Sequence, residues 1–246
     1  MFRLFNKLSR KIRETYWRYM FTGSCVRIDS GGVFEIGEGV VIRNSNVYVD
    51  KNSSLTLGNN TRLENVNVTI TNNGCISIGE LSYIEKPDVN NQAVYLINGG
   101  TLTVANNSHL QCDRVWIRFG GRVNVGEYTT INYGSEIRSD ESVSVGSYVM
   151  CSYNTRIWDT NTHTIYPPEQ RLAIIKQCYP NMGTEVEKPK TAPVCIGDFC
   201  WIGERSAILK GSTLGRNVKV GYNTTISAQH IEDNKTAISQ IELKII

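Results

Sequence analysis

The chain has little proline, little histidine and almost no charge imbalance: its 246 residues include 6 Pro and 3 His, and 26 Lys+Arg against 23 Asp+Glu leave a formal charge of +3. So small a net charge argues against a nucleic-acid partner. With 40% apolar residues the chain is neither disordered nor collagen-like, and it can bury a sizeable core. No run approaches the ~20 apolar residues that span a bilayer. The N-terminus carries charges every few residues, where a signal peptide would have an uninterrupted apolar stretch. The 7 Cys are an odd set without a C-x-x-C spacing, which fits a reducing compartment better than a disulfide framework. These absences together predict a cytoplasmic protein.

Glycine and asparagine are abundant, with 21 Gly and 23 Asn. Both tolerate φ > 0, so the composition predicts β structure with many tight corners. Charge is also unevenly placed. Residues 1–20 hold Arg3, Lys7, Arg10, Lys11, Arg13 and Arg18 against Glu14, a net +5, which leaves −2 for the other 226 residues. Met1, Phe5, Leu8, Ile12, Tyr16 and Tyr19 recur there at spacings of three and four, the pattern of an amphipathic helix, with Gly23 as its stop. Such a helix either lies on an anionic membrane surface, at about 1 kcal/mol per basic residue, or packs on the protein or a neighbouring subunit.

An internal repeat begins near residue 33. Segments starting at Ile36, Leu57, Ile78, Val104, Val125, Val145, Ile196 and Leu214 each open with an aliphatic residue; seven continue with Gly, and Ala105 follows in the eighth. The fifth position is always small or β-branched: Val40, Thr61, Ser82, Ser108, Thr129, Val149, Cys200 and Val218. From Ile196 the unit runs every six residues through Ile202, Ile208, Leu214, Val220 and Ile226. One large gap interrupts it, about 30 residues between His163 and Pro193, with helical turns expected around Glu169 to Gln177. A loop that long in a compact solenoid is usually functional.

This aliphatic, Gly, x, x, small, x unit resembles the hexapeptide repeat of left-handed parallel β-helix proteins, over roughly residues 33 to 227. The resemblance implies an all-β fold of about eight triangular coils, with a short N-terminal amphipathic helix and one long inserted loop. The expected organisation is the basic helix at 1–23, the β-helix at 24–230 with loop 164–193 inserted, and a C-terminal cap at 231–246. Coils stack because none can bury its own aliphatic edge, each inward side chain contributing roughly 1.5–3 kcal/mol. Cys151 and Cys200 fall on inward positions and read as core residues. Asn59-Asn60, Asn72-Asn73-Gly74 and Gly120-Gly121 are expected at corners.

Three further segments narrow the resemblance: Asp159-Thr160-Asn161-Thr162-His163, Cys200-Trp201-Ile202-Gly203 and Gly211-Ser212-Thr213-Leu214-Gly215. Together they resemble the hexapeptide-repeat acyltransferases, and among these the bacterial O-acetyltransferases of capsule and lipopolysaccharide sugars. The resemblance implies direct transfer from acetyl-CoA to a glycan or lipid-linked glycan, in sites between the chains of a homotrimer, with no metal. His163 would be the general base, its ring turned outward where the register slips, and would contribute about 10²- to 10⁴-fold. Asn154 would help hold the oxyanion, or is simply an αL corner residue. The backbone N–H of Glu204 would be a second oxyanion donor. Asp159 or Asn161 would orient the imidazole, although Asp159 equally suits a turn cap. Trp158 and Asn161 would face substrate; Trp201, Gly203, Glu204, Lys210, Arg216 and Tyr222 would line the coenzyme A path.

The C-terminal segment departs from the acyltransferase pattern. It lacks the in-register lysine and the Gly-x-Pro ending that help hold the adenine end of coenzyme A. Three alternatives stand beside this reading: N-acetylation of a nucleotide-linked amino sugar, a zinc carbonic anhydrase on the same β-helix, and a non-catalytic scaffold. The zinc reading suffers from histidines at 109, 163 and 230, none close in sequence to another.

Overall fold

A computed structural model describes residues 21–88 and 90–240. The amphipathic helix expected over residues 1–20 lies outside the described residues, as do the last six residues of the expected C-terminal cap. The strands form three nine-stranded parallel sheets. The first sheet runs from Cys25–Ile28 to Thr225–Ser227, the second from Val33–Ile36 to His230–Ile231, and the third from Val41–Arg43 to Thr236–Ala237. Consecutive strands go to consecutive sheets, so every coil supplies one strand to each face of a triangular prism. This is the parallel β-helix that the repeat predicts.

The coil count is nine rather than about eight. The additional coil is the last one, in which Ile231 pairs with Leu214 and Ala237 with Val220. Glu232 stands where seven of the eight repeat units carry Gly, so the marker that reveals the others is missing there.

Inward and outward residues alternate along each strand as the pleat requires. Val66, Val68 and Ile70 are buried while Asn67, Thr69 and Thr71 face out. Cys151 and Cys200 are inward and buried. The small fifth position bonds neighbouring coils as well as filling space. Thr129 Oγ1 accepts from Val149 N at 3.2 Å and donates to Gly146 O at 2.8 Å, and Ser108 repeats the pattern one coil below with Thr129 N and Gly126 O. Each such hydroxyl satisfies a backbone group that the corner would otherwise leave unpaired.

The repeat glycines are not the source of positive φ. Eleven asparagines, among them Asn60, Asn72, Asn73 and Asn154, occupy the left-handed corners. A Cβ on Gly197 would instead lie 2.6 Å from Gly215 O, so this glycine is required by the close approach of stacked coils.

The long insertion leaves the prism after Arg156–Trp158 and returns at Val194–Ile196. It contains the helix α1 (Pro168–Cys178), in which no residue is buried. The base of the insertion is pinned shut by an antiparallel bridge between Thr160 and Thr191, with Asn161 N donating to Lys190 O at 3.0 Å and Ala192 N to Asp159 O at 3.0 Å. No described helix is long and apolar enough to cross a membrane.

Candidate active site

His163 stands where the first sheet gives way to the insertion, and its side chain is 60% exposed. The register slips as expected. Ile157 points inward, Trp158 outward and Asp159 inward, after which the bridge to Thr191 and the left-handed Thr162 (φ +69°) turn the next ring out of the prism. Its Nδ1 is hydrogen-bonded to Glu185 Oε1, and the other oxygen of the same carboxylate accepts from Thr164 N at 3.3 Å. Glu185, which holds the imidazole, is not among the residues the sequence points to, because it sits in a register-free loop 22 residues downstream.

Asp159 does not orient the ring, contrary to expectation. As the second inward residue after Ile157 it is fully buried, and its carboxylate accepts from Ser139 Oγ at 2.7 Å, Asp140 N at 2.8 Å and Glu141 N at 3.0 Å. Burial raises its carboxyl from the ordinary value, opposed by those three donors. The in-out alternation carried the signal, since a residue two beyond an inward Ile faces inward. Asn161 does not orient the ring either; its amide N–H is used in the loop base.

Next to Asp159 lies a buried ionic pair. Arg118 Nε donates to Asp140 Oδ1 at 2.9 Å and its Nη2 to Oδ2 at 2.7 Å, while Thr160 Oγ1 donates to Asp140 Oδ2 at 2.6 Å. Arg118 Nη2 also reaches Thr162 O at 3.0 Å, and Arg138 Nη1 donates to Thr162 Oγ1 at 3.2 Å. Two guanidinium groups therefore clamp the residue immediately before His163. They are stacked in turn: Arg118 lies 4.3 Å from the Trp116 ring centroid and Arg138 lies 4.4 Å from that of Trp158, contacts that favour one rotamer for each long side chain.

Trp158 Nε1, Thr164 Oγ1 and Tyr166 Oη are buried without a hydrogen-bond partner among the described residues. A buried donor left unpaired costs about 1–3 kcal/mol, and these three flank His163 in sequence.

Apart from Lys210, the other expected residues are not brought to the His163 corner within one chain. Asn154 is a left-handed corner residue (φ +60°) at the opposite end of the strand Arg156–Trp158, its amide donating to Tyr133 O at 3.1 Å. Trp201 faces outward from the third sheet beside Met150 and Lys219, and is half exposed. Gly203 is buried, with its amide donating to Val220 O at 2.8 Å, whereas no hydrogen bond uses the amide of Glu204 among the described residues. Tyr222 Oη accepts from Arg205 Nη1 at 3.0 Å, and Arg216 packs 4.3 Å over the Phe199 ring. Lys210 stands apart from these: it follows Ala207–Leu209 at the corner between the first and second sheets, where Gly211 N donates to Ala192 O at 3.2 Å at the base of the insertion. The aromatic surface and the cations beside it suit a long ligand that is apolar in one part and anionic in another, the character of an acyl-coenzyme A. His109 faces out of the third sheet and pairs with Glu85 at 2.9 Å, and His230 belongs to the second sheet. The three histidines thus stand on different faces of the prism and do not meet in one chain.

Residues 196–228 match the family described as bacterial transferase hexapeptide (six repeats), so the chain carries that repeat. Over 116 residues the chain is 28% identical to the putative lipopolysaccharide biosynthesis O-acetyl transferase WbbJ of Escherichia coli (strain K12), an alignment covering 47% of this chain and 55% of that protein. The chain therefore spans about half the length of the curated relative it matches. Among solved structures, the polysialic-acid-specific acetyltransferase NeuO superposes with a TM-score of 0.52 at 16% identity, covering 90% of this chain and 84% of that one. A hexapeptide-repeat acetyltransferase of Vibrio cholerae gives a TM-score of 0.42 at 20% identity, covering 57% and 69%.

Proposed function

We propose that this hexapeptide-repeat protein transfers the acetyl group of acetyl-CoA to a hydroxyl of a bacterial surface-glycan sugar, on a polymer or its lipid-linked precursor. The observation that carries the reading is the outward His163 held at Nδ1 by Glu185. With Nδ1 donating to that carboxylate, the tautomer leaves Nε2 as the proton acceptor, the arrangement of a base oriented by a carboxylate. The sugar oxygen attacks the thioester carbonyl as its proton passes to Nε2. The C–S bond then breaks, and the imidazolium, stabilised by Glu185, returns the proton to the departing thiolate. The likeness to the putative lipopolysaccharide biosynthesis O-acetyl transferase of E. coli supports a glycan acceptor.

The acyl donor suits the third face, where Trp201 and Tyr222 offer apolar surface, Arg205 and Arg216 offer cations at its edges, and the unused Glu204 amide offers a donor for developing negative charge. That face and the His163 corner belong to different sides of one prism. A complete site therefore needs His163 of one copy beside Trp201 and Asn154 of another, in a homotrimer. Residues 1–20 would hold the assembly against the anionic inner face of the cytoplasmic membrane. Their deletion should lower binding to anionic vesicles while transfer to a soluble acceptor persists; loss of the trimer instead would make the segment an assembly element.

The test of the main reading is acetyl transfer to candidate glycans by wild type and His163→Ala, followed by thiol release and by mass of the product. A loss of about 10²- to 10⁴-fold is expected. Equal turnover in the variant would remove His163 as the base, and an acetyl group found on nitrogen would replace O- with N-acetylation.

A further inference from the structure

The outward face of the first sheet carries a feature that acetyl transfer does not use. A groove of about 270 Å³ crosses the beginnings of the strands Arg114–Arg118, Glu136–Ser139 and Arg156–Trp158, lined among others by Lys86, Asn91, Arg114, Glu136 and Arg156. Its charges do not cancel. The nearly buried Glu136 receives Arg138 at 2.7 Å, Arg114 at 3.4 Å and Arg156 at 3.9 Å, and Asp113 pairs with Lys86 at 3.4 Å. Arg138 lies outside the groove lining, so the lining itself holds the three cations Lys86, Arg114 and Arg156 against the two carboxylates Asp113 and Glu136, and Glu136 is further shared with Arg138.

The geometry decides which cations are unspent. Arg138 holds Glu136 in a short charge-assisted hydrogen bond, leaving Arg114 and Arg156 at longer range. Arg156 Nη1 donates to Gly134 O at 2.6 Å and to Thr155 O at 3.0 Å, which fixes the plane of its guanidinium. The Arg114 side chain is 48% exposed at the groove mouth. Lys86 is 8% exposed, and its Asp113 partner is also drawn on by Gly134 N at 3.1 Å. A nearly buried ammonium is costly unless its charge is met, and here it is met by one shared carboxylate.

A neutral sugar gains little from a net positive groove whose guanidinium groups keep N–H donors to spare, whereas a carboxylate or phosphate accepts such donors bidentately. We infer that this groove binds an anionic unit of the acceptor, a sugar carboxylate or a phosphodiester, carried on the same chain as the acetylated sugar. The inference rests on the glycan-acceptor reading above. From Arg156 to the corner at Asp159 is three residues, about 10 Å along a strand, so the anion binds within a few sugars of His163. The groove makes the enzyme selective for charged glycans without taking part in the chemistry.

Direct binding tests this without turnover. Glucuronate, glycerol phosphate and neutral glucose are titrated into the full chain by ligand-detected NMR, for wild type, Arg114→Gln and His163→Ala. Saturable binding of glucuronate or of glycerol phosphate is expected, with glucose silent, and whichever binds names the anion. Affinity should fall at least tenfold in Arg114→Gln, weaken with added salt, and stay unchanged in His163→Ala. The latter keeps this result separate from any failure of His163 in catalysis. The inference is overturned if neither anion saturates, if Arg114→Gln binds as wild type, or if coenzyme A displaces the probe, which would give the groove to the donor.

Discussion

The lower and upper coils of the prism share one backbone repeat but use its interior differently. At the last inward position of the first sheet the lower coils stack Val49, Ile70, Ile97 and Ile117, all buried and apolar. The next residues in that column are Ser139, which pairs with Ile117, and then Asp159, whose carboxylate Ser139 holds. The outer faces diverge at the same height. Low on the third sheet, Arg62 pairs with Glu85, which is also hydrogen-bonded to His109. Higher up, Tyr148 stacks on Phe199 at 4.8 Å, and Met150 and Trp201 lie exposed side by side. In a solenoid each coil answers mainly to its neighbours. A few coils can therefore give up aliphatic packing for a polar corner that aims His163, while the rest supply stability.

The largest effect should come from His163→Ala, which removes about 10²- to 10⁴-fold of turnover and leaves the melting temperature nearly unchanged because the ring is exposed. A large fall in stability would show that this corner is structural, and would erase the division between the two regions.

Two buried substitutions sharpen that division. Arg118→Ala leaves Asp140 charged and unpaired, which should cost about 3–5 kcal/mol of stability, and it frees Thr162 O, so turnover at a temperature where the variant is folded should fall as well. Ile97→Ala in the lower coils should cost about 2–5 kcal/mol yet leave the rate constant of the folded enzyme unchanged. Equal kinetic damage from both would mean that the prism acts as one unit.

The same division explains what was legible in the sequence. Coils announced by an aliphatic-Gly pair were readable because close stacking tolerates no Cβ there, as at Gly197; the ninth coil, with Glu232 in that place, was not. The outward turn of His163 was readable because an imidazole cannot fill an aliphatic slot. Its carboxylate partner was not, because Glu185 reaches it through loop closure that no periodicity encodes. The clamps Arg118 and Arg138 were equally hidden, as they lie two coils and one coil below the motif and act through Thr162.

Glu185→Gln should then give an intermediate result. Glutamine can still accept from the imidazole N–H but carries no charge to stabilise the imidazolium, so turnover should fall about tenfold. Stability should fall by about 1 kcal/mol, because the nearly buried Glu185 side chain keeps its hydrogen bonds but loses its charge. If turnover is unchanged, the orientation of His163 rests on the Thr162 clamp alone.

The smallest effect isolates Asp159. Burial raises its carboxyl above the free value of 3.8, outweighing the hydroxyl of Ser139 and the amides of Asp140 and Glu141, which lower it. A group whose folded pKa lies above its unfolded pKa takes up its proton first in the folded state. Its favourable contribution is therefore complete below the unfolded value and is lost as pH rises through the folded one. Asp159→Asn has no such proton to gain or lose. In paired thermal melts from about pH 4 to about pH 7, wild type should lose stability relative to Asp159→Asn and then hold level. The opposite slope, with wild type gaining as pH rises, would mean that the three donors outweigh desolvation. The corner would then favour the carboxylate outright, and the contrast with the aliphatic coils below would be one of charge stabilised rather than charge tolerated.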